Sequence, residues 1–424
     1  MKKTVIVLSL VALAVSSLGL RAQDKATFTP YGFFRTYGIF DSRMNKAGSE
    51  DLFYYLPLDR NLDATLGSPT FAKDLNAVPS FKMYAITSRF GLNMKGYRIG
   101  SADVTGKVEA DFYCMNGSTA TLRLRQAFVN FSWMGDNGNK TDLKVGQAWH
   151  PMAADMPYAV NIESGSPFSP FARSPQVMLD AQLGGGFTLT AGILYPMQYQ
   201  PTGPAGASEN YAKYALVPEA YAGISYASGD FLARLGADVI TLKPRYQRVS
   251  DRITMVTPML YFQYKYDTFK VNAKTVLASG GDHMRLMSGY ALYDTSDPLN
   301  YKYTPLRNSS SFVSVSYGSK IQVMGMVAYM KALGAAHDLP VNAAGSINAG
   351  NIYYFGSGFK NLNQLVRFTP TVAYNVGKLT LALEYDNTIA EYGDITSMNA
   401  KALCTKDKHL IINHRILSVF RLSF

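Results

Sequence analysis

Leu410-Ile411-Ile412-Asn413-His414-Arg415-Ile416-Leu417-Ser418-Val419-Phe420-Arg421-Leu422-Ser423-Phe424 closes the sequence, and its residues alternate in character. Leu410, Ile412, Ile416, Phe420, Leu422 and Phe424 fall on one face, with Asn413, Arg415, Arg421 and Ser423 on the other. Period 2 is strand spacing rather than helix spacing. A strand that is apolar outside, polar inside and aromatic at its last residue predicts a barrel in a bacterial outer membrane. A single strand of this kind also suits a soluble sheet, so the reading depends on recurrence along the chain.

The pattern recurs most clearly over Ala102 to Tyr113. Val104, Gly106, Val108, Ala110 and Phe112 share one face, and Asp103, Thr105, Lys107, Glu109, Asp111 and Tyr113 the other. Helical spacing would scatter those charges around an axis. Just before it, Tyr84, Ile86, Phe90, Leu92 and Met94 alternate with Thr87, Arg89, Asn93 and Lys95. Similar segments follow at Leu122–Trp133, Asp142–Trp149, Gln176–Leu183, Phe187–Tyr195, Pro218–Tyr226, Phe231–Thr241, Ile253–Lys265 and Phe269–Leu277. Further on come Ser310–Tyr317, Ile321–Lys331, Leu365–Asn375, Leu379–Asp386 and Leu410–Phe424. With Thr27–Phe40 at the front this gives about sixteen strands, and an even number closes an antiparallel barrel with both ends on one side.

Connection lengths point the same way. Gly135–Thr141, Gly184–Gly186, Ala227–Asp230, Tyr266–Thr268, Gly318–Lys320 and Val376–Lys378 are short. The alternate connections are mostly long: Asp41–Ser80, His150–Pro175, Pro196–Val217, Ala278–Ser309, Ala332–Gln364 and Asn387–His409. Tight turns at one end and long loops at the other are the periplasmic turns and extracellular loops of an outer-membrane barrel. Pro258 and Pro370 fall inside strands, where each predicts a bulge or a shifted boundary. In Leu122–Trp133 the charged face of Arg123 and Arg125 turns into Ala127, Val129, Phe131 and Trp133, which predicts a bulge there.

The first residues read as an export signal. Lys2 and Lys3 precede the apolar Val5–Leu18, and Leu20-Arg21-Ala22 offers a cleavage site before Gln23. The stretch is shorter than the ~20 apolar residues of a membrane-spanning helix. Residues 1–22 are therefore expected to be a signal peptide and residues 23–424 a single barrel domain. Losing Lys2, Lys3 and Arg21 lowers the net charge from +11 to +8. The 29 tyrosines outnumber the 23 phenylalanines, and an amphipathic ring suits the membrane–water boundary. Two cysteines, Cys114 and Cys404, have no metal-site spacing, and export permits a disulfide without requiring one.

A barrel of sixteen strands is too wide for side chains to fill, so water or a folded-in segment occupies it. Few residues lie between Gln23 and Thr27, which argues against a large plug domain. The expected constriction is the loop 150–175. It carries Gly165-Ser166-Pro167-Phe168-Ser169-Pro170-Phe171-Ala172-Arg173-Ser174-Pro175, stiffened by three prolines. The chain resembles the sixteen-stranded general porins, whose third outer loop folds into the lumen. Thr87-Ser88-Arg89-Phe90-Gly91-Leu92, Leu122-Arg123-Leu124-Arg125-Gln126-Ala127-Phe128, Leu143-Lys144-Val145-Gly146-Gln147 and the Ser-Pro-Phe loop look closest to the DcaP-like outer-membrane porins. That resemblance covers essentially the whole chain after residue 22. It implies a homotrimer with one pore per subunit, seated in outer-membrane lipid and lipopolysaccharide. It also implies passive uptake of small hydrophilic, often anionic, solutes.

Phase along the strands puts Arg35, Arg89, Lys107, Arg123, Arg125, Arg234, Lys270, Lys274, Arg367, Arg415 and Arg421 toward the lumen. Asp103, Glu109, Asp111, Asp238, Glu384 and Asp386 oppose them. An excess of fixed cations lowers the barrier for anions, although cross-strand pairing would absorb some of it. The candidate pore residues are Arg35, Arg89, Arg123 and Arg125, with Asp155, Glu163 and Asp180 as opposite-sign partners across the eyelet. Arg123 and Arg125 carry most weight, being one strand before the expected constriction. Tyr195, Tyr199, Tyr211 and Tyr214 would line a solute track in a substrate-selective channel, and an aromatic girdle accounts equally well for some of them.

Other classes have less support. His150, His283, His337, His409 and His414 show neither a nucleophile motif nor metal spacing, so no catalytic residue, metal ligand or cofactor is expected. His414 falls on the lipid-facing phase. An adhesin or structural anchor would favour a smaller barrel or an added domain. The cations are spread over many strands of an exported chain, so nucleic acid is not an expected partner.

Overall fold

The computed structural model describes residues 26–48, 52–68, 71–116, 119–161, 165–343, 345–355 and 358–424. The expected signal peptide and Glu163 lie outside the described residues. The barrel strands are β1 (Thr27–Asp41), β2 (Ser80–Tyr84 and Arg89–Ile99), β3 (Ala102–Asn116), β4 (Thr119–Met134) and β5 (Lys140–Trp149). They continue as β6 (Arg173–Gly184), β7 (Phe187–Leu194), β8 (Glu219–Ser228), β9 (Phe231–Leu242), β10 (Ile253–Tyr266) and β11 (Phe269–Ser279). The last are β12 (Lys302–Tyr317), β13 (Ile321–Ala335), β14 (Leu362–Val376), β15 (Leu379–Tyr392) and β16 (His409–Ser423). Chain neighbours are barrel neighbours throughout, and β1 closes the ring against β16 from Phe33↔Ser423 to Asp41↔Arg415. The result is a closed, sixteen-stranded antiparallel barrel, as the alternation predicts.

The outside is apolar. On β16, Leu410, Ile412, Ile416, Phe420 and Leu422 are exposed while Asn413, Arg415 and Leu417 are buried. Closure leaves no strand edge, which is what a β-structure in hydrocarbon requires. Phe187, Phe231, Phe262, Tyr264, Tyr266, Phe269 and Tyr317 ring the outside near the short turns. Such aromatic girdles mark membrane interfaces. At the seam, Phe424 N–H donates to the Gly32 carbonyl at 3.0 Å and its ring lies 5.5 Å from that of Phe34. A Cβ on Gly32 would stand 2.4 Å from the Arg89 carbonyl oxygen, so close strand approach demands glycine there.

The predicted irregularities resolve in two ways. Glu109 pairs with Gln126 and Ala110 with Leu124, so Arg125 is the extra residue of a bulge that reverses the facing of β4. The prolines shift no register. Pro258 pairs with Ala237 on β9, while the ladder to β11 begins only at Met259. Thr257 fills the gap: its hydroxyl donates to the Ser279 carbonyl at 2.9 Å and accepts from the Ser279 N–H at 3.1 Å. Beside Pro370, Thr369 and Thr371 donate to Asp386 and Glu384, each at 2.7 Å.

The long-loop end of the barrel is packed with loop residues. Phe53–Pro57, part of the connection between β1 and β2, is buried along its whole length. Phe53, Tyr55 and Leu56 share an apolar core with Phe168, Met287, Ile352, Phe355 and Met398 from four other loops. Sequence reading expected one segment to fold inward; the structure adds this second one.

Cys114 and Cys404 are free thiols. Burial pushes the Cys404 thiol, in the loop between β15 and β16, up to about 11. Since only the thiolate reacts, alkylation of Cys404 in folded protein should rise about 300-fold from pH 7.5 to pH 10. Mass spectrometry of labelled peptides, with unfolded protein as control, measures this.

Candidate functional site: the lumen and its inward loop

The loop that leaves β5 runs along the inner wall and is fastened strand by strand. His150 N–H donates to the Ala172 carbonyl at 3.1 Å, holding the two limbs together. Asp155 takes two bonds from the Arg234 guanidinium of β9, at 2.6 and 2.7 Å. Asn272 of β11 donates to the Met156 carbonyl at 2.8 Å, and Tyr158 N–H donates to Ser314 Oγ of β12 at 2.9 Å. The far end reaches β15, where Glu384 accepts from Val160 N–H at 2.7 Å and Asn161 N–H at 3.1 Å. On the return limb, Arg367 donates to the Ser166 carbonyl at 3.0 Å, and Phe168 is wholly buried beside it. Lys274 Nζ, also buried, donates to the Met152 carbonyl at 2.8 Å. The expected loop therefore does fold into the barrel, held from several strands on the far wall.

Below it, arginines gather around one ring. Arg35, Arg89 and Arg421 place their guanidiniums 4.5, 5.0 and 4.5 Å from the Phe33 ring centre. All three, with Arg125, line a cavity of about 280 Å³ whose other wall includes Met156, Pro157, Ala159, Val160 and Asn161. Arg35 also donates to Tyr37 Oη. Among the described residues, no carboxylate stands within ion-pair distance of Arg35 or Arg421.

Arg123 and Arg125 are placed differently. Arg123 Nε donates to Asp111 Oδ1 at 3.0 Å, and Arg125 bonds Glu109 at 2.8 Å and Asp111 at 2.6 Å. Arg89 lies 3.7 Å from Glu109 and 3.9 Å from Asp111. Three guanidiniums thus share two carboxylates, which leaves one positive charge unneutralised in addition to those of Arg35 and Arg421. Asp155 sits in the inward loop and pairs with Arg234 rather than with the arginine group. Asp180 accepts from Thr190 Oγ1 at 2.5 Å on the neighbouring strand.

Sequence reading missed Arg173 as a site residue, although it stands in the Ser-Pro-Phe loop's exit. Its guanidinium lies 4.5 Å from the Trp149 ring centre, and neither Nη1 nor Nη2 has a hydrogen-bond partner. With Arg123, Gln147, Gln198 and Tyr199 it lines a second cavity of about 300 Å³. The four tyrosines do not form one track. Tyr211 is buried in an apolar cluster against which Tyr195 packs, Tyr214 stacks on Tyr246, and only Tyr199 reaches this cavity.

Solved structures share this architecture. The outer membrane channel DcaP of Acinetobacter baumannii superposes with a TM-score of 0.64 at 17% identity, over 94% of this chain and 97% of that one. This is the porin fold. The anion-selective porin from Comamonas acidovorans matches the porin barrel at a TM-score of 0.54 and 14% identity, over 94% of this chain and 100% of that one. Outer-membrane expressed OmpT of Vibrio cholerae matches at 0.51 and 13%, over 96% and 100%. No protein-family model matches the chain, and no curated protein matches it. At these identities what the porins share with it is the barrel and its topology.

Proposed function

We propose that this chain is an outer-membrane porin through which small hydrophilic solutes diffuse passively, with a preference for anions. The observation that carries the reading is the group Arg35, Arg89 and Arg421, facing the inward loop across one cavity with more positive charge than the nearby carboxylates neutralise. Fixed cations in a narrow, low-dielectric path concentrate anions. The lipid-facing apolar wall and aromatic girdle support a place in the outer membrane of a Gram-negative cell, reached through cleavage of residues 1–22. Contacts with lipopolysaccharide belong to that placement. A homotrimer is part of the proposal. An outward hollow of about 520 Å³ beside the closing seam, where Thr36, Gly38, Ala382 and Ser418 leave room, supports it. No catalytic step is assigned to the lumen.

Neutralising the two guanidiniums that lack carboxylates tests the charge assignment. The double variant Arg35→Gln, Arg421→Gln should conduct but with its reversal potential under a KCl gradient moved toward zero. An unchanged potential would remove these residues from the selectivity of the pore.

A second reading, a channel selective for one class of small anionic organic solute, is favoured by Arg173 with its unpartnered guanidinium beside Tyr199. An Arg173→Gln variant that keeps its conductance but loses solute block of the current would support it.

A further inference from the structure

Outside the arginine group, the barrel buries a second cluster of ionisable side chains, at the root of the inward loop. His150 begins that loop, Glu219 begins β8, Asp238 lies on β9, and His283 belongs to the loop between β11 and β12. All four are at most 1% exposed. His150 Nε2 stands 2.8 Å from Glu219 Oε1 and 3.6 Å from Asp238 Oδ1, and His283 Nε2 stands 2.9 Å from the same Glu219 oxygen.

The hydrogen bonds of this cluster do not balance. Asp238 has no hydrogen-bond partner on either carboxylate oxygen, and Glu219 Oε2 has none. His283 Nδ1 lies 3.1 Å from the Gly280 carbonyl, which requires a proton on Nδ1 and directs the Nε2 position at a carboxylate oxygen. A buried carboxylate without a donor, as Asp238 is, is costly, and a second carboxylate beside it adds to the cost. A positive centre between these atoms would resolve all of it.

We propose that His150, Glu219, Asp238 and His283 bind a divalent transition-metal ion of the zinc class. Ligand atoms from His150, Glu219 and Asp238 lie within 4.8 Å of one another, while His283 stands outside that group, 2.9 Å from Glu219 Oε1, and its ring would swing in to complete the set. Two ligands about 2.1 Å from a tetrahedral zinc stand about 3.4 Å apart, within the range of the His150 and His283 spacings to Glu219 and Asp238. Two neutral imidazoles and two carboxylates cancel the charge of the ion. Imidazole nitrogen selects zinc-class metals over calcium or magnesium. The carbonyl on His283 Nδ1 is the outer-shell partner that orients a ligating histidine. His150 bears a cost: its Nδ1 accepts from Met152 N–H at 3.2 Å, and metal on Nε2 moves the ring proton to Nδ1 and gives up that long bond. The bound ion would pin the root of the inward loop to β8, β9 and the β11–β12 loop.

The test uses full-length folded protein, stripped with EDTA, equilibrated with zinc chloride and freed of loose metal. Elemental analysis should find about one zinc per chain, and zinc should raise the thermal unfolding midpoint. Asp238→Asn should lose both effects. His283→Gln serves as the second variant should Asp238→Asn fail to fold, and should lose at least tenfold in affinity. Folded wild-type protein that retains no zinc would overturn the proposal and assign the balancing charge to protons. Zinc retained equally by the variants would overturn it as well, marking surface histidines as the binders. Neither readout depends on conductance, so the proposal stands or falls apart from the porin reading.

Discussion

Arg415→Leu is expected to destabilise the folded barrel by about 3–5 kcal/mol, the cost of stranding a buried partner charge. Arg415 Nε and Nη2 donate to the two oxygens of Asp41 at 2.9 and 2.8 Å, in the fork geometry that suits a carboxylate. The side chains are 0% and 2% exposed. The pair joins the first strand to the last, and Asn413 adds a 2.9 Å bond to Asp41. The Tyr54 ring, from the inward β1–β2 loop, lies 4.4 Å from the Arg415 guanidinium. Losing the guanidinium thus weakens both seam and loop. Urea unfolding in detergent, followed by the mobility difference between folded and unfolded barrel, measures the loss. The double variant Arg415→Leu, Asp41→Asn should recover much of it, because no unpaired charge then remains. A single variant as stable as the parent would show that the seam does not depend on this pair.

Glu384→Ala should release the far end of the inward loop and alter the current through the barrel. Its carboxyl group holds Val160 N–H and Asn161 N–H together, and each such hydrogen bond contributes about 0.5–1.5 kcal/mol net. A further contact of that end is the long 3.4 Å approach of Asn161 Nδ2 to Asp386. Val160 and Asn161 line the cavity beneath the loop, so their release should give larger and less uniform conductance steps. The anchors at Asp155, Met156 and Tyr158 remain, and the barrel should stay folded. Steps identical to the parent's in size and noise would place the ion path elsewhere.

The barrel was legible because lipid on one side and lumen on the other impose period 2 on every strand. The alternation of Ala102–Tyr113 and Leu410–Phe424 carried that directly. The facing reversal within β4 was legible too, and the extra residue proved to be Arg125. Register was not legible, and register decides which charges meet. Only the paired strands show that Arg123 and Arg125 spend their charge on Asp111 and Glu109. The burial of Phe53–Pro57 escaped notice because a short apolar run within a long loop has no period to mark it. His150 and His283 lie 69 and 64 residues from Glu219, far outside any local metal spacing, so only the fold brings them together. The prolines of β10 and β14 predicted a bulge or a shifted boundary, whereas the register runs through them and neighbouring threonine side chains supply local hydrogen bonds.

The most direct test of the porin reading is single-channel recording of the purified wild-type protein in planar bilayers under a KCl gradient. The basic lumen predicts stable steps whose reversal potential shows chloride crossing more readily than potassium. A potential of the opposite sign, or folded protein that opens no channel, would contradict it.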